Sequence, residues 1–361
     1  MKKTFCIALS LLMALSLLAG CGGAASSTPP SADNQSSAPS SSTESTGTDF
    51  SVAMVTDVGG INDESFNQSA WSGMEQLNSE LGVNTSFIES SIDADYMPNL
   101  EKAADGGNDL IWGIGFMMKD SIREAATTNP DQLYALVDDS FEDGELTNVI
   151  GVMFMAEQSS FLAGYAAALK TETDRVGLVL GMESPTMARF TNGYRAGVAY
   201  GAAELGKEIQ IDYAVAEAFD DPAKGKALAQ KMYTDGCDIV YAVAGGTGTG
   251  CIEAAKEMDK WIIGVDLDQN HLAPDNLICS GLKNVGAAVY EVTKRVLEGE
   301  DLGGTTLYMG LAEGGAGLST TGGLLGAEIE GKVAEVEADI ASGAIDVPFD
   351  EDGLDAFLAA L

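Results

Sequence analysis

Short apolar runs alternate with segments of helical periodicity along this chain from residue 51 onward. Runs such as Val176–Leu180 are apolar at consecutive positions, which is typical of parallel strands that helices cover on both faces. We predict ten strands, over Val52–Thr56, Thr85–Glu89, Leu110–Ile114, Leu133–Val137, Val149–Phe154, Val176–Leu180, Gln210–Val215, Ile239–Ala244, Trp261–Asp266 and Leu277–Gly281. Because helical segments separate them, the sequence predicts an α/β fold with two doubly wound parallel sheets.

The clearest predicted helix follows the first strand. Phe66, Ala70 and Met74 begin an apolar stripe with helical spacing, and Ser65 and Gly82 are placed as its N-cap and its C-terminal stop. Further helices are predicted over residues 156–169, Met187–Leu205 and Pro222–Thr234.

Charge and composition exclude some classes of function. The 361 residues include 55 acidic and 19 basic side chains, a formal net charge of −36, and 45% of them are hydrophobic. Such an acidic globular protein repels phosphate backbones, which argues against nucleic-acid binding. His271 is the single histidine, so zinc sites built on several histidines are excluded. Cys237, Cys251 and Cys279 lack metal-binding spacing and are expected to be buried thiols, and no cofactor is expected.

The first 49 residues are typical of a leader and a tether. Two lysines precede an apolar stretch too short to span a membrane, which ends in Leu18-Ala19-Gly20-Cys21. The pattern is similar to a bacterial lipoprotein signal, which implies removal of residues 1–20 and a lipid on Cys21; the alternative is an ordinary secretory signal with a chance cysteine. Residues 21–49 carry no large apolar side chain after the cysteine, so they would form a disordered tether spanning roughly 30 Å.

Polar residues follow the predicted strands at their carboxyl ends, where open α/β sheets bind ligands. Asp57 and Asn62 follow the first strand, Asp138 and Asp139 the fourth, and Asp266 ends the ninth. Carboxylates and amides accept hydrogen bonds from hydroxyl and N–H groups, and aromatic side chains stack on flat rings. The sequence therefore predicts a cleft that binds a polyol or a base.

These residues also have purely structural interpretations. Phe66 and Phe190 lie near the starts of helices, where they could serve only to pack the core, and Asp266 could be a turn residue or a helix cap. Lys283 follows the tenth strand, either as a surface lysine or as a cation beside a domain crossover. Gly245–Gly250 resembles a phosphate-binding loop but lacks its lysine, and the alternative is a tight turn whose backbone approaches a ligand.

Six blocks of sequence, in order between about Val52 and Gly323, carry a family resemblance. They are TDVGGINDESFNQSAWSGM, FLAGYAAAL, RFTNGYRAG, FDDPAKGKALA, AGGTGTGCIEAAKE and IGVDLDQ. Together they resemble the basic membrane lipoproteins, the PnrA-like purine nucleoside-binding proteins of ABC importers. The resemblance implies a type I periplasmic-binding-protein fold, with two lobes joined by three crossovers. Residues 50–153 plus 283–304 would form the first lobe, and residues 154–282 plus 305–361 the second.

The resemblance also implies roles for individual residues. Phe66 and Phe190 would sandwich the base between their rings. The base edge would be bound by Asp57, Asn62 and one of the tandem pair Asp138 and Asp139, and which of the two faces the cleft stays open. The ribose would be held by Gly246, Asp266 and Lys283.

The function implied by the resemblance is that of a receptor, not an enzyme. It would be a monomer, lipid-anchored at the extracytoplasmic face of the cell membrane, that passes guanosine, adenosine or inosine to the permease and ATPase of an ABC importer. Two other functions stay open: a sugar-binding or sensory lipoprotein of the same fold, and a nucleoside hydrolase that uses Asp57, Asp63 and Asp266.

Overall fold

The structure, a computed structural model, describes residues 48–361. The predicted signal peptide, the lipidation site at Cys21 and all but the last two residues of the tether lie outside the described residues. None of the helices in the described part is long and apolar enough to cross a membrane.

Strands and helices alternate through the described chain. The strands are β1 (Ser51–Val55), β2 (Asn84–Ile88), β3 (Leu110–Gly113), β4 (Leu133–Val137), β5 (Val149–Phe154), β6 (Arg175–Leu180), β7 (Gln210–Val215), β8 (Ile239–Val243), β9 (Trp261–Asp266), β10 (Leu277–Lys283), β11 (Thr306–Met309) and β12 (Ala316–Ser319). The α-helices are α1 (Phe66–Leu81), α2 (Tyr96–Asp105), α3 (Lys119–Thr128), α4 (Ala156–Lys170), α5 (Pro185–Leu205), α6 (Pro222–Thr234), α7 (Gly246–Met258), α8 (Val285–Leu297), α9 (Ala327–Ala341) and α10 (Glu351–Ala360).

The strands form two six-stranded sheets. The first has the order β2-β1-β3-β4-β5-β11 and is parallel throughout. The second has the order β7-β6-β8-β9-β10-β12, and only β12 runs antiparallel to its neighbour among these strands. We call the first sheet with its helices the first lobe and the second sheet with its helices the second lobe. The predicted α/β fold with two doubly wound lobes is confirmed.

Helices cover both faces of the sheets, which explains the continuous apolar runs. In β1, Val52 and Met54 pack into a core that includes side chains of α1 and α8. Ala53 and Val55, which point to the other face, pack into a core with side chains of α2 and α3. Val52–Val55 are all buried, so this part of the strand shows no apolar–polar alternation.

The last strand of the first sheet corrects the predicted division of the chain. Residues 305–361 were expected to return to the second lobe, but β11 pairs in parallel with β5 of the first sheet. The chain crosses to the second sheet only after β11, at β12. Both strands, TLYM and AGLS, have only four residues, so neither produces an apolar run long enough to predict it.

Helix α8 also belongs to the first lobe, where it packs against α1. At this crossing a Cβ on Gly73 would lie 2.2 Å from the backbone oxygen of Gly286, so the two helices can approach this closely only without side chains there. The chain therefore passes between the lobes three times: from β5 to α4, from β10 to α8, and from β11 to β12.

Candidate functional site

A cavity lies between the lobes, where the carboxyl ends of strands from both sheets face each other. It contains about 490 Å³ of space between protein atoms, part of it open to solvent. It is lined by Asp57, Gly59, Asp63, Phe66, Asn67, Gly115, Phe116, Asp138, Met187, Phe190, Phe219, Val243, Ala244, Gly245, Val265, Asp266 and Lys283. Its position between the lobes is the one that the sheet topology favours for a ligand site.

Aromatic rings from both lobes line the cavity. The ring centres of Phe66, from the first turn of α1, and Phe190, from α5, lie 4.5 and 5.6 Å from Lys283 Nζ. Phe154 completes this aromatic cage at 5.2 Å. Its faces favour a cation or a flat ring.

A second aromatic pair joins the lobes. The ring centres of Phe116 and Phe219 lie 6.5 Å apart, with the rings edge to face. Phe219 packs over Gly181, where a Cβ would lie 2.3 Å from the ring. Phe116 therefore forms part of the wall of the cavity together with a residue of the opposite lobe.

Four carboxylates of the described chain are buried in the cavity wall: Asp57, Asp63, Asp138 and Asp266. Lys283, 3% exposed, hydrogen-bonds Asp138 Oδ2, whereas Asp138 Oδ1 has no hydrogen-bond partner within residues 48–361. Burial raises the pKa of both Asp57 and Asp266 to about 6. The wall is thus rich in acceptors for a ligand that donates hydrogen bonds.

Asp57 is held in place by an amide. Its Oδ1 accepts from Asn67 Nδ2 at 2.7 Å and from the Gly59 backbone at 2.9 Å. Its Oδ2 and the Phe66 ring both lie against Gly115, where a Cβ would be 3.0 Å from this oxygen and 3.4 Å from Phe66 Cε1. The buried Asn67 Oδ1 has no hydrogen-bond partner in the described chain and is a further acceptor.

Helix α1 begins differently from the prediction. Ser65 occupies the N-cap position, but its hydroxyl makes no cap hydrogen bond. It donates instead to Asp266 Oδ2, at the end of β9 in the other lobe. The first turn of α1 is capped by Asp63, whose carboxylate accepts from the backbone of Ser65, Asn67 and Gln68 at 2.8–3.0 Å.

Most of the residues that the sequence singled out come together in this cavity. Asp57, Phe66, Asp138, Phe190, Asp266 and Lys283 all line it. Of the tandem aspartates, Asp138 faces the cavity, whereas Asp139 pairs with Lys119 at 2.7 Å outside it.

Two predicted residues do not reach the wall. Asn62 is exposed in the loop before α1, and the amide on the wall belongs to Asn67, the second residue of that helix. Gly246 begins α7 just behind the wall, which Gly245 lines instead. For Asn62 the cause is the loop, because side-chain directions follow no fixed period outside regular structure.

Sequence reasoning missed other wall residues, chiefly Asn67, Phe116, Met187 and Phe219. Phe116 follows the third strand, so its position after a strand end was the available signal. Phe219 follows β7, which lies at an edge of the second sheet, and reaches the cavity from there.

Similarity to known proteins agrees with this architecture. The family described as "ABC transporter substrate-binding protein PnrA-like" matches residues 50–351. The chain is 37% identical over 322 residues to a Lactococcus lactis protein named "ABC transporter nucleoside-binding protein BmpA", covering 83% of this chain and 90% of that one. It is 36% identical over 368 residues to a "CD4+ T-cell-stimulating antigen" of Listeria innocua, covering 96% and 99%.

A solved structure shows the same fold. The solute-binding protein of an ABC transporter system from Aeropyrum pernix superposes with a TM-score of 0.77 at 30% identity, covering 86% of this chain and 98% of that one. The matched family spans both sheets and every residue of the cavity wall. The chain belongs to the family of PnrA-like ABC transporter substrate-binding proteins.

Proposed function

We propose that this protein is a membrane-anchored receptor that captures a purine nucleoside between its lobes and delivers it to an ABC permease. The observation that carries the proposal is the combination of aromatic rings from both lobes with buried carboxylates and one ammonium in the same cavity. A nucleoside offers what this wall accepts: a flat ring, and N–H and hydroxyl donors.

The base is assigned to the aromatic part of the cavity. Stacking on Phe66 and Phe190 contributes about 1–3 kcal/mol per base. Asp57 Oδ2 and the Phe66 ring both lie against Gly115, so a base on Phe66 would have this oxygen in its neighbourhood. Asp57 would accept its N–H donors together with Asn67 Oδ1, which has no hydrogen-bond partner among residues 48–361.

The ribose is assigned to Asp266, Lys283 and the backbone at Gly245. A carboxylate that accepts from sugar hydroxyls discriminates strongly against ligands that lack them, because its buried oxygens would stay unpaired. The Lys283 ammonium now lies over the Phe66 ring, so it would shift when the base stacks there.

Delivery requires that the lobes separate and close, which the three connections between them permit as a hinge. We infer that a lipid on Cys21 and the tether of residues 21–49 keep the receptor beside its permease and ATPase partners at the outer face of the membrane. The name of the Lactococcus lactis relative, a nucleoside-binding protein of an ABC transporter, supports a nucleoside as the ligand.

Calorimetric titration of the purified full-length protein with guanosine, adenosine, inosine, cytidine and ribose tests the proposal. We expect dissociation constants in the micromolar range or below for purine nucleosides, and much weaker binding of ribose. Absence of binding for every nucleoside would contradict the proposal, and tight binding of ribose alone would favour a sugar receptor.

A further inference from the structure

Adjacent contacts join the lobes at one side of the cleft. Ser65 Oγ donates to Asp266 Oδ2 in the cavity wall, and Gln269 Nε2 donates to the Glu64 backbone oxygen at 2.7 Å. At the exposed rim, His271 Nε2 lies 3.2 Å from Glu64 Oε2. Residues 64–65 of the first lobe therefore meet residues 266–271 of the second.

The Ser65 hydroxyl is not needed by its own helix. A serine at the N-cap normally accepts a hydrogen bond from the first turn. Here the Asp63 carboxylate accepts from the backbone of Ser65, Asn67 and Gln68, and also from Asn67 Nδ2 at 3.2 Å. The hydroxyl is thereby free to serve the opposite lobe, and its loss leaves the helix cap intact.

Asp266 depends on this donor for its orientation. It ends β9 in a left-handed backbone conformation, with φ of 64°. The charged and titratable groups around it are Lys283, Asp63, Asp138 and Tyr241, and of these only the ammonium attracts its charge. Within the described chain, Ser65 is the side chain that hydrogen-bonds this carboxylate.

The contact requires the two lobes to lie together as they do in this structure. Ser65 moves with α1 and the first sheet, whereas Asp266 moves with β9 and the second sheet. A hydrogen bond weakens steeply once its atoms separate by more than about 3.5 Å, so a small opening of the cleft breaks it.

We propose that Ser65 is a positioning residue that orients Asp266 toward the ligand and, because it acts across the cleft, couples ligand capture to lobe closure. The claim that Ser65 orients Asp266 toward the ligand rests on the nucleoside-binding function proposed above. The claim that Ser65 favours lobe closure can be tested without ligand and does not depend on that function.

The effect of Ser65 on lobe closure is measured in the absence of ligand. Spin labels on Cys substitutions of Glu75 and Glu253, exposed on α1 and α7, report the distance between the lobes by double electron–electron resonance. We expect Ser65→Ala to shift the distribution toward longer distances. Ser72→Ala is the matched control, because Ser72 lies on α1 and its hydroxyl bonds Ser69 within the helix. Identical distance distributions for Ser65→Ala and the unmodified chain would overturn the proposed role of Ser65 in lobe closure.

The proposed role of Ser65 in orienting Asp266 is tested by measuring the affinity for guanosine as a function of pH. The Ser65 hydrogen bond lowers the pKa of Asp266, which burial has raised to about 6, so its removal raises that pKa further. We expect Ser65→Ala to lose about tenfold in affinity at pH 8 and more at pH 6, where a larger share of Asp266 is protonated. Ser65→Cys, a weaker donor of similar size, should lie between the two.

The outcomes separate the two proposals. An equal loss at all pH values would mean a merely structural role for Ser65 and would overturn the positioning role. If no nucleoside binds the unmodified protein, the proposed function fails, and the distance measurement still decides whether Ser65 holds the empty lobes together.

Discussion

The Lys283 ammonium lies 4.5 Å from the centre of the Phe66 ring while it hydrogen-bonds the Asp138 carboxylate. One cation thus contacts both an aromatic ring and a buried acid of the proposed nucleoside site. Removal of either partner leaves a buried charge with less compensation, which is costly in a protein interior.

Asp138→Asn should weaken guanosine binding by at least about tenfold, because it removes a charged acceptor and the anionic partner of Lys283. Asp139→Asn is the matched control: it breaks only a partly exposed pair with Lys119 and should change affinity by less than about twofold. Calorimetry measures the affinities, and urea unfolding checks that both variants are folded. Equal losses would contradict a role for Asp138 in ligand binding.

Phe66→Ala should reduce the affinity for purine nucleosides by about five- to 150-fold, the equivalent of 1–3 kcal/mol of stacking. Ribose binding should change much less, since the sugar is assigned to Asp266. Phe87→Ala, at an exposed ring on β2 that packs against Trp71, is the control and should have no effect. A larger loss for ribose than for guanosine would favour the sugar receptor.

Guanosine 5′-monophosphate should bind at least about tenfold more weakly than guanosine. Its phosphate would enter a cavity whose wall carries Asp57, Asp138 and Asp266 against the single ammonium of Lys283 in the described chain, and like charges repel most where water is excluded. Calorimetry at low salt compares the two ligands, and equal affinities would refute the prediction.

Asp57→Asn should change how stability depends on pH. Burial raises the pKa of Asp57 from 3.8 to about 6, so the native state binds this proton more tightly than the unfolded state does. The resulting stabilisation is present below about pH 4 and is lost as the pH rises through 6. The asparagine variant lacks this loss, so relative to the unmodified protein it should gain about 2–3 kcal/mol in free energy of unfolding between pH 4 and 8.

Urea unfolding at a series of pH values measures that gain. Asp139→Asn serves again as the control, since Asp139 is partly exposed and lies outside the cavity. A difference between Asp57→Asn and the unmodified protein that stays constant with pH would show that Asp57 does not titrate abnormally.

The fold was largely predictable because its strands are buried on both faces. A strand such as β4, apolar at every position, stands out from the helices around it. β11 and β12 could not be predicted in this way, because they are short and their places depend on the edges that β5 and β10 leave open.

The location and the chemical character of the site could be predicted from the sequence, but not all of its residues. Strand ends indicate where ligands bind, and they pointed to Asp57, Asp138 and Asp266. They do not determine where a loop side chain points, so Asn62 was chosen in place of Asn67. The position of Ser65 predicted that its hydroxyl would cap α1. In the structure this hydroxyl instead hydrogen-bonds Asp266 of the other lobe, a contact that local sequence does not reveal.

The return of α8 and β11 to the first lobe has a consequence for the order of folding. The apolar face of α1 and the outer edge of β5 stay uncovered until residues 285–309 have been synthesised, after all the parallel strands of the second sheet. An open strand edge beside an exposed apolar helix is a site for aggregation. The first lobe, although it begins the chain, is therefore completed late, and a chain truncated before β11 should aggregate rather than fold.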